Sequence, residues 1–229
     1  MRKFAFAEGE IYHIYNRGVD KRPIFSDRED LYRFFLSMQE FNTSKPIGSI
    51  YERSFNKGRQ GTTQNKEGKL VEFVAYCLNP NHYHFLLKPV AEKGVEKFMQ
   101  RLGTGYTNYF NEKESRSGAL FQGRFKANHI SSNEYLLHAS AYVNLNFKIH
   151  KLKKGALYHS SWNEYVDKKP GICSKKIILE QFRSIPRYVD FAEQSVKTTL
   201  DKREDMVFEL ENMKQNNNLE VELPSVLKL

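Results

Sequence analysis

An α+β fold with an antiparallel sheet is predicted by two kinds of pattern in the 229-residue sequence. Short runs rich in β-branched and aromatic residues predict strands at 10–17, 70–78 and 82–88. Apolar residues at helical spacing predict helices at about 27–41 and 92–113. This mixture of strands and helices indicates a sheet that packs helices against one of its faces.

The next elements complete the plan. A short strand is expected near 124–130. Ser131 and Glu134 fit a capping box, in which each side chain satisfies a backbone N–H group, so a helix is expected over about 132–147. The resulting order β-α-β-β-α-β-α predicts a ferredoxin-like split βαβ fold with helices on one face of the sheet.

Two stretches lie outside this plan. Residues 44–69 lose periodicity, contain six basic and two acidic residues, and are interpreted as an inserted basic loop. Two more helices are expected at about 174–183 and 187–213, and the last dozen residues are expected to fray. The predicted division is a main domain, 1–169, and a helical C-terminal extension, 170–229.

Composition and charge restrict the function. The net charge of +9 favours a polyanion such as nucleic acid as partner, with a merely solvated basic surface as the alternative. The chain has no long uncharged apolar run, and its N-terminus turns acidic early, so a cytoplasmic protein without a membrane partner is expected. Cys77 and Cys173 provide no disulfide framework and are expected to be buried thiols.

His82 and His84 form the first part of a candidate site. Side chains two apart in a strand project from the same face, while Tyr83 points to the other face. Two imidazoles on one rigid strand can bind one metal ion without any backbone adjustment. The alternative is a pair of half-buried histidines bonded to neighbouring groups, and the spacing alone does not exclude it.

The helix at 132–147 supplies the second part. Tyr142 and Asn146 are four residues apart and therefore lie on one face of that helix. The amide oxygen of Asn146 is a candidate third ligand, and imidazoles with oxygen donors suit Mn²⁺ or Mg²⁺. Tyr142 would then attack a metal-bound phosphate, although core packing is the ordinary role of an aromatic residue in such a helix.

Three other side chains compete for roles in this chemistry. His138, one turn before Tyr142, is a candidate for favouring the phenolate and for contacting DNA, or else an ordinary surface histidine. Tyr106 and Tyr109 are rival nucleophiles, but their position in an apolar helical stripe favours the core.

Further candidates concern contact with nucleic acid. Arg124 and Lys126, on the last predicted strand beside the site, are candidates for holding a phosphate backbone, or else solvated surface charges. Trp162 and Tyr165 have the aromatic character needed to stack on unpaired bases, but a packing anchor is the more common role of a sole tryptophan.

Five segments of the sequence resemble the REP-associated tyrosine transposases, a bacterial branch of the single-tyrosine HUH transposases. The segments are YHIYNRG (12–18), YCLNPNHYHFLLKP (76–89), YTNYFNEKESRSGALFQGRFKA (106–127), YVNLN (142–146) and SSWNEY (160–165). They occur in order over about residues 10–165.

The resemblance implies that the main domain is an HUH nuclease on a ferredoxin-like fold. Its metal ligands would be His82, His84 and Asn146, and its nucleophile Tyr142. The implied activity is cleavage and rejoining of single-stranded, hairpin-bearing DNA through a 5′-phosphotyrosine intermediate, with Mg²⁺ or Mn²⁺. Two alternatives stay open: a domesticated hairpin-binding protein that no longer cuts, and a nicking enzyme of the replication-initiator or relaxase type. A monomer and a homodimer are both compatible with the sequence.

The sequence departs from the family pattern at two positions near the site. Phe147 stands where the family has a proline, so the helix is expected to run further. Asn79 stands where a methionine is common, in the turn before the histidines. Neither departure removes a group that the resemblance assigns to catalysis.

Overall fold

The computed structural model describes residues 5–48, 50, 68–153, 155–167 and 170–217, with 203–217 described by their backbone alone. Within these residues, the strands form one antiparallel sheet in the order β4-β1-β3-β2-β5. The strands are β1 Tyr12–Arg17, β2 Val71–Asn79, β3 His82–Pro89, β4 Lys126–His129 and β5 His159–Ser160. The predicted α+β class and split βαβ connection are confirmed.

The helices begin close to the predicted caps. They are α1 Arg28–Glu40, α2 Gly94–Lys113, α3 Asn133–Asn144, α4 Asn146–Ile149, α5 Trp162–Val166, α6 Lys176–Leu179 and α7 Ile185–Asn217. Asp27 caps α1 by accepting a hydrogen bond from the Asp30 backbone N–H. The cap of α3 is Ser132, whose hydroxyl accepts from the Tyr135 N–H, so the cap lies one residue after the predicted Ser131. No described helix is long and apolar enough to cross a membrane.

Helices cover both faces of the sheet, whereas the sequence analysis assigned them to one face. Helices α1 and α2 bury the face that carries Tyr83 and Phe85. Helices α3 and α7 bury the opposite face, where Leu86 packs in a second core with Tyr188 and Ala192 of α7. The physical reason is that β2 and β3 are apolar on both sides, so each face needs a cover.

Among the described residues of the predicted C-terminal extension, Ile178 of α6 and Tyr188, Ala192 and Val196 of α7 pack in the sheet's second core. The predicted helix at 174–183 is the short α6, and that at 187–213 is the long α7. The sequence analysis missed β5 and α5. Strand β5 has two residues, and it exists because it pairs with Cys77 and Leu78 of β2. A segment that short has no periodicity to detect.

The predicted helix at 132–147 is divided in the structure. Helix α3 ends at Asn144, Leu145 has φ −108° and ψ 18°, and α4 adds one turn to Ile149. Tyr142 and Asn146 therefore lie on consecutive helical segments rather than on one continuous helix. The expected extension beyond Phe147 is confirmed as this extra turn.

Most of the predicted insertion, residues 49 and 51–67, and the predicted frayed end at 218–229 lie outside the described residues. The two ends of the insertion are adjacent, because the Ser44 N–H donates to the Gly68 carbonyl at 2.7 Å. This hydrogen bond brings the chain that follows α1 close to the chain that precedes β2. The division of the chain at 169/170 stays a prediction.

Candidate active site

Strand β3 brings His82 and His84 to the same face of the sheet. Their ring centroids are 5.2 Å apart with the rings nearly perpendicular, and both side chains are buried. Tyr83 between them packs in the core of the other face. The strand geometry predicted from the His-Tyr-His spacing is therefore present.

The hydrogen bonds of Asn81 determine which nitrogen of His82 carries the proton. The Asn81 amide donates from Nδ2 to the Lys21 carbonyl at 3.1 Å, which turns Oδ1 toward His82. Oδ1 lies 2.7 Å from His82 Nδ1, so Nδ1 is the donor. In the neutral ring, Nε2 then carries a lone pair, as a metal-binding imidazole requires.

Asn146 presents its amide oxygen to this lone pair. Asn146 Oδ1 is 3.1 Å from His82 Nε2, and both side chains are buried. Two lone-pair atoms at this distance repel each other unless a positive group lies beside them. Adjacent ligands of an octahedral ion with bonds near 2.1 Å are about 3.0 Å apart, so these two atoms fit a shared Mg²⁺ or Mn²⁺.

The same two atoms also contact Asn79, at the end of β2. Asn79 Nδ2 donates to His82 Nε2 at 2.8 Å and to Asn146 Oδ1 at 2.6 Å. Within the described residues, no three histidine, cysteine or carboxylate side chains converge on one point. A cation here would therefore depend on amide oxygens as well as on histidines.

His84 is held by a histidine that the sequence analysis did not identify. His13 of β1 places Nε2 2.8 Å from His84 Nδ1, and the rings are stacked at 5.1 Å. Burial lowers the pKa of His13 to about 4, so the ring is neutral at pH 7 and its unprotonated nitrogen can accept from His84 Nδ1–H. Such an acceptor orients the imidazole and leaves Nε2 for a ligand.

Tyr142 lies beside these histidines. Its ring centroid is 5.6 Å from that of His84 and 5.9 Å from that of His13, both nearly edge-on. The side chain is half-buried rather than sealed in the core. The histidine pair, Asn146 and Tyr142 are therefore brought together, although they come from a strand and two helical segments.

A pocket of about 340 Å³ opens beside the histidines. It is lined by Tyr15, Asn16, Arg17, Lys21, Asn81, His82, His84, Gln122, Lys126 and His150. Three of these side chains are cationic, and Arg17 donates from Nε to the Gln122 side chain. A positive pocket of this size suits a phosphodiester.

Close backbone packing positions two of the cationic residues. Gly18 follows Arg17, and a Cβ atom at Gly18 would lie 2.1 Å from the Arg22 carbonyl oxygen. Only glycine permits the chain to fold back so tightly, and the fold places Lys21 at the pocket. The sequence showed an abrupt glycine after a strand but gave no sign that Arg17 and Lys21 face the histidines.

His150 was also missed. It follows α4 immediately, and its ring centroid is 4.4 Å from that of His82. The extra helical turn after Asn146 brings it to the pocket. No sequence pattern linked His150 to His82.

The structure separates the three predicted DNA contacts. Lys126 lines the pocket, with Nζ 6.0 Å from the Tyr15 ring centroid. Arg124 precedes β4 rather than lying on it, and is exposed outside the pocket lining. His138 contacts α7, where its Nδ1 is 2.9 Å from Ser195 Oγ and its ring packs on Phe191. The suggested role of His138 beside Tyr142 stays a prediction.

The rival aromatic residues are structural, as their spacing indicated. Tyr106 is fully buried on the other face of the sheet and donates to the Ile24 carbonyl at 2.6 Å. Tyr109 donates to Asp30 Oδ1 at 3.1 Å. Tyr165 is buried with its hydroxyl on the Val74 carbonyl, and Trp162 packs against Tyr188.

Fold and site together define an α+β protein in which two histidines line a cationic pocket, with amide side chains and a tyrosine beside these histidines. The family model "Transposase IS200 like" matches residues 51–146. This segment is similar to the IS200-like transposases and contains His82, His84, Tyr142 and Asn146. The resemblance to transposases that the motifs indicated is confirmed.

A solved structure, "Structure of the REP associates tyrosine transposase bound to a REP hairpin", is similar to this chain. The TM-score is 0.48 and the identity 13%, over 74% of this chain and 88% of that chain. No curated protein matches the chain.

Proposed function

We propose that this protein cleaves and rejoins single-stranded DNA that carries a hairpin, with Tyr142 as the nucleophile. One observation carries the proposal: the Tyr142 ring borders His84 while His82 Nε2 and Asn146 Oδ1 meet at 3.1 Å. The IS200-like match over residues 51–146 supports the class of reaction. The preference for a hairpin rests on the motifs that resemble the REP-associated tyrosine transposases.

His82, His84 and Asn146 would hold the ion, Mg²⁺ or Mn²⁺. Bound there, the ion would supply positive charge to the scissile phosphate and to the leaving oxygen. His13 contributes by keeping the His84 ring oriented, and Asn81 does the same for His82. Arg17, Lys21 and Lys126 would hold the phosphates on either side of the scissile one.

The proposed reaction is a transesterification. The Tyr142 hydroxyl loses its proton to solvent, and its oxygen forms a bond to phosphorus. The bond from phosphorus to the 3′ oxygen breaks, and that oxygen takes up a proton to give a free 3′-OH. A second 3′-OH can attack the 5′-phosphotyrosine, release Tyr142 and rejoin the strand, so no nucleotide triphosphate is required.

The test is formation of a covalent adduct. The full chain is incubated with a labelled library of single-stranded hairpins and Mn²⁺, and the products are separated under denaturing conditions. Tyr142→Phe should still bind hairpin DNA and form no adduct, because it loses only the attacking oxygen. Tyr135→Phe, an exposed tyrosine on the same helix α3, is the matched control and should react like the wild type.

Other outcomes would change the assignment. Mass spectrometry should find the nucleotide on the peptide that contains Tyr142. A label on another tyrosine, or cleavage by Tyr142→Phe, would overturn the choice of nucleophile. Hairpin binding by the wild type without any adduct would favour the non-cleaving DNA-binding protein instead. Full cleavage in excess chelator would remove the metal from the mechanism.

A further inference from the structure

We propose that Asn79 is a further ligand of the metal ion and that its side-chain amide reverses when the ion binds. This inference rests on the metal site of the proposed function. Asn79 is also one of the two positions near the site where the sequence departs from the family pattern. Its role therefore concerns this chain in particular.

The position of Asn79 is fixed by the sheet. It is the last residue of β2 and pairs directly with His82 across the turn Pro80-Asn81. Its side chain has no exposed surface. The amide therefore has no room to swing away from the site, and rotation about its own axis is its available motion.

Three atoms form one compact triangle. Asn79 Nδ2 lies 2.8 Å from His82 Nε2 and 2.6 Å from Asn146 Oδ1, which are 3.1 Å from each other. These edges approximate the distance of about 3.0 Å between adjacent ligands of an octahedral ion. Asn79 Nδ2 thus lies where a third ligand would lie on one triangular face of an octahedral coordination shell.

In the present arrangement the amide nitrogen takes the place of a cation. Its two hydrogens point to the two lone pairs and satisfy both. An ion bound by His82 and Asn146 would be repelled by these hydrogens. Reversal of the amide exchanges Nδ2 for Oδ1 at nearly the same position, because the terminal torsion of asparagine is close to two-fold.

The opposite side of the amide opposes this reversal only weakly. Asn79 Oδ1 accepts from the buried thiol of Cys77, with Sγ 3.5 Å away. A thiol is a weak donor and a weak acceptor, so it can contact either end of the amide at similar cost. The reversal then exchanges two hydrogen bonds to ligands for one metal–oxygen bond.

The experiment measures Mn²⁺ binding to the full chain without DNA, by electron paramagnetic resonance of the free ion. Asn79→Leu has the same shape without donor or ligand, and should weaken binding by about tenfold. Asn79→Asp keeps an oxygen at the corner, cannot donate when ionised, and should bind Mn²⁺ about tenfold more tightly. Proton relaxation should show an additional coordinated water in Asn79→Leu.

His82→Ala separates this inference from the proposed function. If the wild type and His82→Ala bind Mn²⁺ equally or not at all, the metal site of the proposed function is wrong, and the ligand role of Asn79 falls with it. If His82→Ala loses binding while Asn79→Leu binds as tightly as the wild type, or more tightly, only the ligand role of Asn79 is refuted. If Asn79→Leu does not fold, Asn79→Asp still tests the inference. Failure of Asn79→Asp to bind Mn²⁺ more tightly than the wild type would then overturn it.

Discussion

The two faces of the sheet contain the same kinds of residue and arrange them differently. On the face covered by α1 and α2, the rings of Phe34 and Tyr106 pack edge to face at 4.7 Å in a sealed core. The buried hydroxyl of Tyr106 is satisfied by a backbone carbonyl. On the face covered by α3 and α7, the apolar core adjoins His84, and Tyr142 packs against this core while its ring also borders His84.

Strand β3 shows the difference residue by residue. Tyr83 and Phe85 point into the first core, whereas His82 and His84 point to the second face. All four side chains are buried, so burial does not distinguish structure from function here. The distinction lies in the polar partners: Tyr83 and Phe85 pack against other rings, whereas the ring nitrogens of His82 and His84 contact amide side chains and another histidine.

The largest expected effect comes from substituting two neighbouring residues of β3, Phe85 and His84. Phe85→Ala should lower the free energy of unfolding by about 3–5 kcal/mol, because it leaves a cavity among aromatic rings. His84→Ala should cost less stability but abolish adduct formation. Urea denaturation and the adduct assay measure the two properties. If folded Phe85→Ala formed no adduct, the core on the Phe85 face would also be required for the reaction on the histidine face.

The next comparison uses tyrosines on opposite faces. Tyr106→Phe should cost about 1–3 kcal/mol, since it leaves the buried Ile24 carbonyl without its donor, and should keep adduct formation per folded molecule. Tyr142→Phe should have the reverse profile, with little change in the denaturation midpoint and no adduct. Equal destabilisation by both variants would place Tyr142 among the structural residues.

The smallest effect concerns two cations near β4. Lys126→Ala should remove one phosphate contact and reduce the slope of log affinity against log salt by about 0.7 for a single strand. Arg124→Ala, outside the pocket lining, should change the slope much less. Fluorescence anisotropy of a labelled hairpin over a range of salt concentrations measures both. An equal effect of Arg124→Ala would extend the DNA contact beyond the pocket.

The sequence by itself determined the features that depend on local periodicity. Alternation along β3 placed His82 and His84 on one face, because successive side chains of a strand point to opposite sides. Apolar spacing placed Tyr106 in the core, and a serine cap located the start of α3 to within one residue. Linked motifs indicated the transposase resemblance, which the match over 51–146 confirms.

Tertiary structure alone decided how the site is completed. His13 reaches His84 because β1 pairs with β3, and α7 covers the second face because β2 and β3 are apolar on both sides. The contact between Asn79 and Asn146 joins residues 67 positions apart. Local patterns carry no information about which distant side chains share a pocket, since that depends on strand order and on where a helix breaks, as it does at Leu145.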